Sequence, residues 1–132
     1  MSANVPEFVR ESGASIASRR VLDGSAPLKW AVREAPSNPS DNGWRFFSEI
    51  DDESYLDDPS NLEVASFNTI AAIEPAVIPL LNMPVGTDLA IIRDRGAIRF
   101  FDNETGREVS PARSPSRAEP ATKRPAQARA RG

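Results

Sequence analysis

Six carboxylates crowd the stretch Glu49-Ile50-Asp51-Asp52-Glu53-Ser54-Tyr55-Leu56-Asp57-Asp58-Pro59. Clustered side-chain oxygens serve Ca²⁺ or Mg²⁺ when they alternate around a central glycine and end on a glutamate at the twelfth position. This stretch contains no glycine, so it reads first as a solvated acidic loop and no metal is assigned to it. With Trp44, Phe46, Phe47 and Tyr55 nearby, it also offers carboxylates and an aromatic anchor to a basic partner. Such a surface steers association and mimics a polyanion, which suits inhibition of an enzyme that itself binds nucleic acid.

Arg33-Glu34 followed by Asp41-Asn42-Gly43-Trp44 forms a second constellation. In one reading, an Arg–carboxylate pair and a neighbouring Asp line a polar pocket beneath the Trp44 ring. In the other, Arg33 pairs with Asp41 or Glu34 to close the 36–43 loop, and Asp41 or Asn42 makes an Asx-turn. A Trp at the start of an aromatic strand belongs more often to a core than to a ligand site.

Other chemistry has little to work with. The chain has no Cys and no His, which removes disulfides, Cys/His zinc sites, the Cys nucleophile and every His general base. Its glycines are scattered and no strand–GxxxxGK–helix segment is present, so phosphate binding finds no loop. Paired carboxylates for glycoside chemistry stay open, although so small a core rarely encloses a deep sugar cleft. No catalytic residue and no cofactor is assigned, and the expected class is a non-enzymatic binding protein.

The elements that position these residues must come from one domain's worth of chain, 132 residues. Residues 1–109 carry 10 basic and 18 acidic side chains, a balance of −8, whereas 110–132 carry six basic residues and Glu119, a balance of +5. Segment 110–132 also lacks Val, Ile, Leu, Met, Phe, Trp and Tyr, which predicts a disordered basic tail. The tail reads as a solubilising extension or as an arm for nucleic acid, an anionic membrane or its own acidic domain. No apolar run is long enough to span a membrane and the first residues lack the order of a secretory signal, so the expectation is a cytoplasmic protein.

Within 14–109 the prolines and glycines punctuate an α+β domain: a small, mostly antiparallel sheet with one or two short helices, preceded by an extension over 1–13. Strands are expected over 14–17 continuing through 19–22, over 28–34, from Trp44 to Ser48, and over 62–67. Leu28, Trp30 and Val32 share one face by alternation. Asn68 or Thr69 would cap a helical turn reaching Ile73, and Pro75 starts a further turn. Residues 86–92 and 97–101 read as a hairpin around Asp94-Arg95-Gly96. Leu28, Trp30, Val32, Phe46, Val64, Ile70, Ile73, Val77, Ile78, Leu81, Leu89, Ile91, Ile98 and Phe100 form the expected core.

Ser18-Arg19-Arg20-Val21-Leu22, Trp30-Ala31-Val32-Arg33-Glu34, Asp41-Asn42-Gly43-Trp44-Arg45-Phe46, Asp57-Asp58-Pro59-Ser60-Asn61, Asn68-Thr69-Ile70-Ala71, Glu74-Pro75 and Pro84-Val85-Gly86-Thr87 occur in this order. Together they resemble the bacterial polymorphic-toxin immunity protein family thirty-three, formerly a domain of unknown function. The likeness spans roughly residues 14–92, and the Arg-Glu…Asp-x-Gly-Trp-Arg-Phe block is its most specific part. It implies an α+β domain, no catalysis and a cognate toxin as partner. The partner-binding residues expected are Arg33, Glu34, Asp41 and Trp44 from the signature, with Asp51, Asp52, Glu53, Tyr55, Asp57 and Asp58 from the acidic loop. The alternative is a stand-alone regulatory or scaffold domain whose basic tail contacts nucleic acid or anionic membrane.

Overall fold

A computed structural model describes residues 7–110; the first six residues and most of the expected basic tail lie outside the described residues. The architecture is a seven-stranded sheet with a few short helices. In chain order these are β1 (Ala14–Ser18), α1 (Arg19–Leu22), β2 (Leu28–Arg33), β3 (Asp41–Ser48), α2 (Glu53–Leu56), β4 (Leu62–Ser66), α3 (Phe67–Ile73), β5 (Asp88–Asp94), β6 (Ala97–Asp102) and β7 (Glu108–Val109). A 3-10 turn over Pro59–Asn61 precedes β4, and a second over Pro75–Leu80 follows α3. The strand order is β4-β1-β3-β2-β5-β6-β7, with β1 parallel to β3 and every other pair antiparallel.

Local chemistry explains most boundaries. β5 and β6 are joined through Arg95 and Gly96, whose φ angles of 55° and 84° give the two-residue turn that matches strand twist. The run 19–22 turns helical instead of extending β1, because the Ser18 side chain accepts from the Val21 N–H and caps α1. Ser66, rather than Asn68 or Thr69, caps α3 by accepting from the Thr69 N–H. β3 begins at Asp41, three residues before the aromatic run, because Asp41 already pairs with Ala14 of β1.

One face of the sheet carries Ala17, Leu28, Ala31, Trp44, Phe46, Leu89, Ile91 and Phe100 against Phe67, Ile70 and Ala71 of α3 and Val77 and Leu80 of the following turn. Each large apolar side chain buried here contributes about 1.5–3 kcal/mol relative to exposure. Trp44 stacks on Phe46 with centroids 5.9 Å apart, and Phe46 meets Phe67 at 6.3 Å.

The expected alternation of Leu28, Trp30 and Val32 fails at one residue. Leu28 pairs with Ser48 and Trp30 with the adjacent Phe47, so a bulge at Lys29 shifts the strand's phase. Leu28 and Ala31 therefore enter the core, while Trp30 and Val32 lie half-buried on the opposite face with Phe47 and Phe101. Val64 and Ile73 also leave the expected core, at 73% and 42% exposure.

Candidate functional site

The signature residues converge on β3. Between Ala14 and Ile16 of β1, β3 advances from Asp41 to Arg45, so it carries two extra residues at Asn42-Gly43. The kink brings Asp41 back onto Arg45. Their contact is bidentate, with both guanidinium–carboxylate bonds at 2.9 Å, and Arg45 Nε donates to Glu34 Oε2 at 2.8 Å. Asp41 also accepts from the Ser37 and Gly43 N–H groups at 2.7 and 2.8 Å. The Arg45 bond, reinforced by these backbone donors, holds the Asp41 carboxyl far below the usual carboxylate range, and the same pair raises Arg45. Both side chains are nearly sealed from water, at 7% and 9% exposure.

Gly43 makes the kink at φ 88°, and a Cβ there would run into the Glu34 carbonyl. Asn42 ties the same corner to the N-terminal segment: its side-chain oxygen accepts from Ser15 Oγ at 3.1 Å and its amide donates to Ser12 O at 2.9 Å. Arg33 pairs with neither Asp41 nor Glu34, because Arg45 occupies both. It donates instead to the carbonyls of Asn42 at 2.9 Å and Met83 at 2.6 Å, strapping the segment after the second 3-10 turn to β3. Trp44 is wholly buried and donates its indole N–H to Leu81 O at 3.2 Å. As an aromatic anchor for a partner it is corrected to core, since no part of it reaches solvent. Phe46 is likewise buried, and the polar pocket beneath the Trp44 ring is filled by the fold's own contacts.

The acidic loop stands at the other end of β3 and divides into two kinds of carboxylate. Asp51 has no side-chain exposure; it accepts from the Ser48 N–H at 2.6 Å and from Arg20 at 3.2 Å. Asp52 caps α2 by accepting from the Tyr55 N–H, and Asp58 caps the 59–61 turn. Bonds from the Ser60 hydroxyl and N–H lower the Asp58 carboxyl. Glu49, Glu53 and Asp57 are exposed and form no ion pair among the described residues. Ile50 stands beside them at 56% exposure. Tyr55 is half-buried beneath Arg20, whose guanidinium carbon lies 3.7 Å from the ring centroid.

Arg20, like Arg45, is a residue that sequence reasoning missed. It organises Ile50, Asp51 and Tyr55 from α1, some thirty positions upstream, and no local spacing announces that contact. Among the described residues, no group of three or more Asp or Glu is arranged to hold a metal ion. No helix among them is long and apolar enough to cross a membrane.

No curated protein and no solved structure matches this chain. The model of one family does match, that of the Immunity protein Imm33 domain, over residues 15–101. The matched segment runs from β1 into β6, includes both the Asp41–Arg45 kink and the acidic loop, and covers most of the chain, which belongs to the Imm33 immunity protein family.

Proposed function

We propose that this chain is a non-enzymatic immunity protein that binds a toxin in the cytoplasm and neutralises it, meeting a basic surface of the toxin with the exposed carboxylates of the 49–58 loop. The family match over residues 15–101 carries the toxin reading. Support for the surface comes from Glu49, Glu53 and Asp57, which are exposed and form no ion pair among the described residues, and from the exposed Ile50 in the same loop. An apolar contact ringed by like charges suits a salt-sensitive complex with a cationic partner. Asp51 and Trp44 contribute by holding the loop and β3 in place, not by touching the toxin.

The test starts with retention of a stoichiometric protein from the native host's lysate by the tagged full chain, followed by co-expression of that protein in a sensitive strain. Growth rescue by the wild-type chain, weakened when Glu53 and Asp57 are both changed to Lys, is the expected result. Full rescue by that variant would remove the acidic loop from the interface; a captured protein that is not toxic would remove the immunity role.

A further inference from the structure

β4 forms one edge of the sheet, with β1 on its inner side and no strand on its outer side among the described residues. Its ladder phase follows from one bond: the Phe67 N–H donates to Gly13 O at 2.9 Å. Stepping by two along an antiparallel pair, Ala65 and Glu63 turn their backbone groups toward β1, and Val64 turns its N–H and C=O outward. The Val64 side chain is 73% exposed. Edge strands are ordinarily blunted by proline, charged side chains or a bulge; Leu62-Glu63-Val64-Ala65-Ser66 has no proline, its register against β1 is regular, and its one charge, Glu63, is paired to Arg19. Beside Val64 a cleft of about 170 Å³ opens over β1, floored by Ala14 and Ile16 and walled by Ser37, Ser40 and Asp41.

The charge around this edge selects its occupant. Asp57 and Asp58 lead into the strand and Glu63 lies within it, with Arg19 the cation paired to Glu63 at 3.3 Å. A second copy would bring an equally acidic edge against this one, since residues 1–109 balance 10 basic against 18 acidic side chains. We propose that β4 accepts an extended, basic segment of the toxin as an added strand, which pairs with the Val64 N–H and C=O and packs an apolar side chain on Val64 at the rim of the cleft. This rests on the toxin-binding reading above and names the mode of contact.

A blocked nine-residue peptide alternating Lys and Val serves as the probe for the full chain, with amide hydrogen exchange read by NMR. At low salt, saturating peptide should slow exchange at Val64 at least tenfold, and added salt should reverse this. V64P deletes the outward N–H without touching the bonds to β1, and should weaken peptide binding at least tenfold at an unchanged melting temperature. V64K keeps the backbone N–H and the exposed site but repels the peptide, so it decides the matter if V64P does not fold. Protection confined to other strands, or equal peptide binding by V64K, would overturn the inference. So would a chain that dimerises with its own Val64 amide protected. Toxin neutralisation indifferent to V64K would overturn strand addition while leaving the immunity role standing; peptide binding at β4 by a chain that neutralises nothing would support the edge and remove the toxin as its occupant.

Discussion

Residues 33–45 and 49–58 are both rich in charge, and the fold treats them in opposite ways. Around Arg45, each ionic group meets another ionic group or a carbonyl: Asp41 and Glu34 close on Arg45, while Arg33 reaches Asn42 and Met83. In the acidic loop only Asp51 is treated so, and Glu49, Glu53 and Asp57 remain in solvent. The most recognisable block of the sequence is thus a device for building β3, and under the proposed function recognition of a partner falls to side chains the fold leaves unused. A signature that identifies a family need not mark the surface through which its members act.

Five variants would break or sharpen that contrast. Arg45→Ala leaves Asp41 charged and unpaired within the sheet and should cost about 3–5 kcal/mol, measured by denaturant unfolding. The same pair predicts acid sensitivity. Asp41 sits far below its ordinary value of 3.8, so its contribution is complete above that value and is lost as pH falls through the acid range. Unfolding midpoints taken from pH 7 to pH 2 should therefore fall more steeply for the wild-type chain than for Asp41→Asn, which begins less stable. A parallel decline in both would show that Asp41 is not the titrating group.

Gly43→Ala should cost about 3 kcal/mol, because a side chain at φ 88° also meets the Glu34 carbonyl. Asp51→Ala strips the Ser48 N–H and Arg20 of their acceptor and should cost about 1–3 kcal/mol, lowering the melting temperature. The smallest effect on stability belongs to Glu53→Lys combined with Asp57→Lys, within about 0.5 kcal/mol, since both side chains are exposed. A large loss of stability there would erase the distinction between the two regions.

How much of this could be read from residues alone depends on range. The β5–β6 hairpin was legible because Arg95-Gly96 is a local turn signal between two apolar runs. The acidic loop was legible as surface, since six carboxylates cannot all be buried. Alternation misplaced Trp30 and Val32 because a single bulge at Lys29 reverses every later side chain of β2. The burial of Asp51 was illegible: it depends on Arg20, delivered by α1 from the end of the neighbouring parallel strand β1. Arg45 was a similar case, for the kink at Asn42-Gly43 brings together two residues of one strand that regular extension would hold well apart.

The position of β1 bears on how the chain assembles. β1 lies between β3 and β4, partners that follow it by about 27 and 50 positions, and its pairing with β3 is parallel and so cannot form through a tight turn. The β5–β6 ribbon can close within microseconds, but the N-terminal strand must thread between two elements that are synthesised after it. Loop closure on that scale, like that between β2 and β5, is slow beside the local hairpin. Until that insertion is complete, β4 lacks its inner neighbour and α3 has no finished sheet to cover.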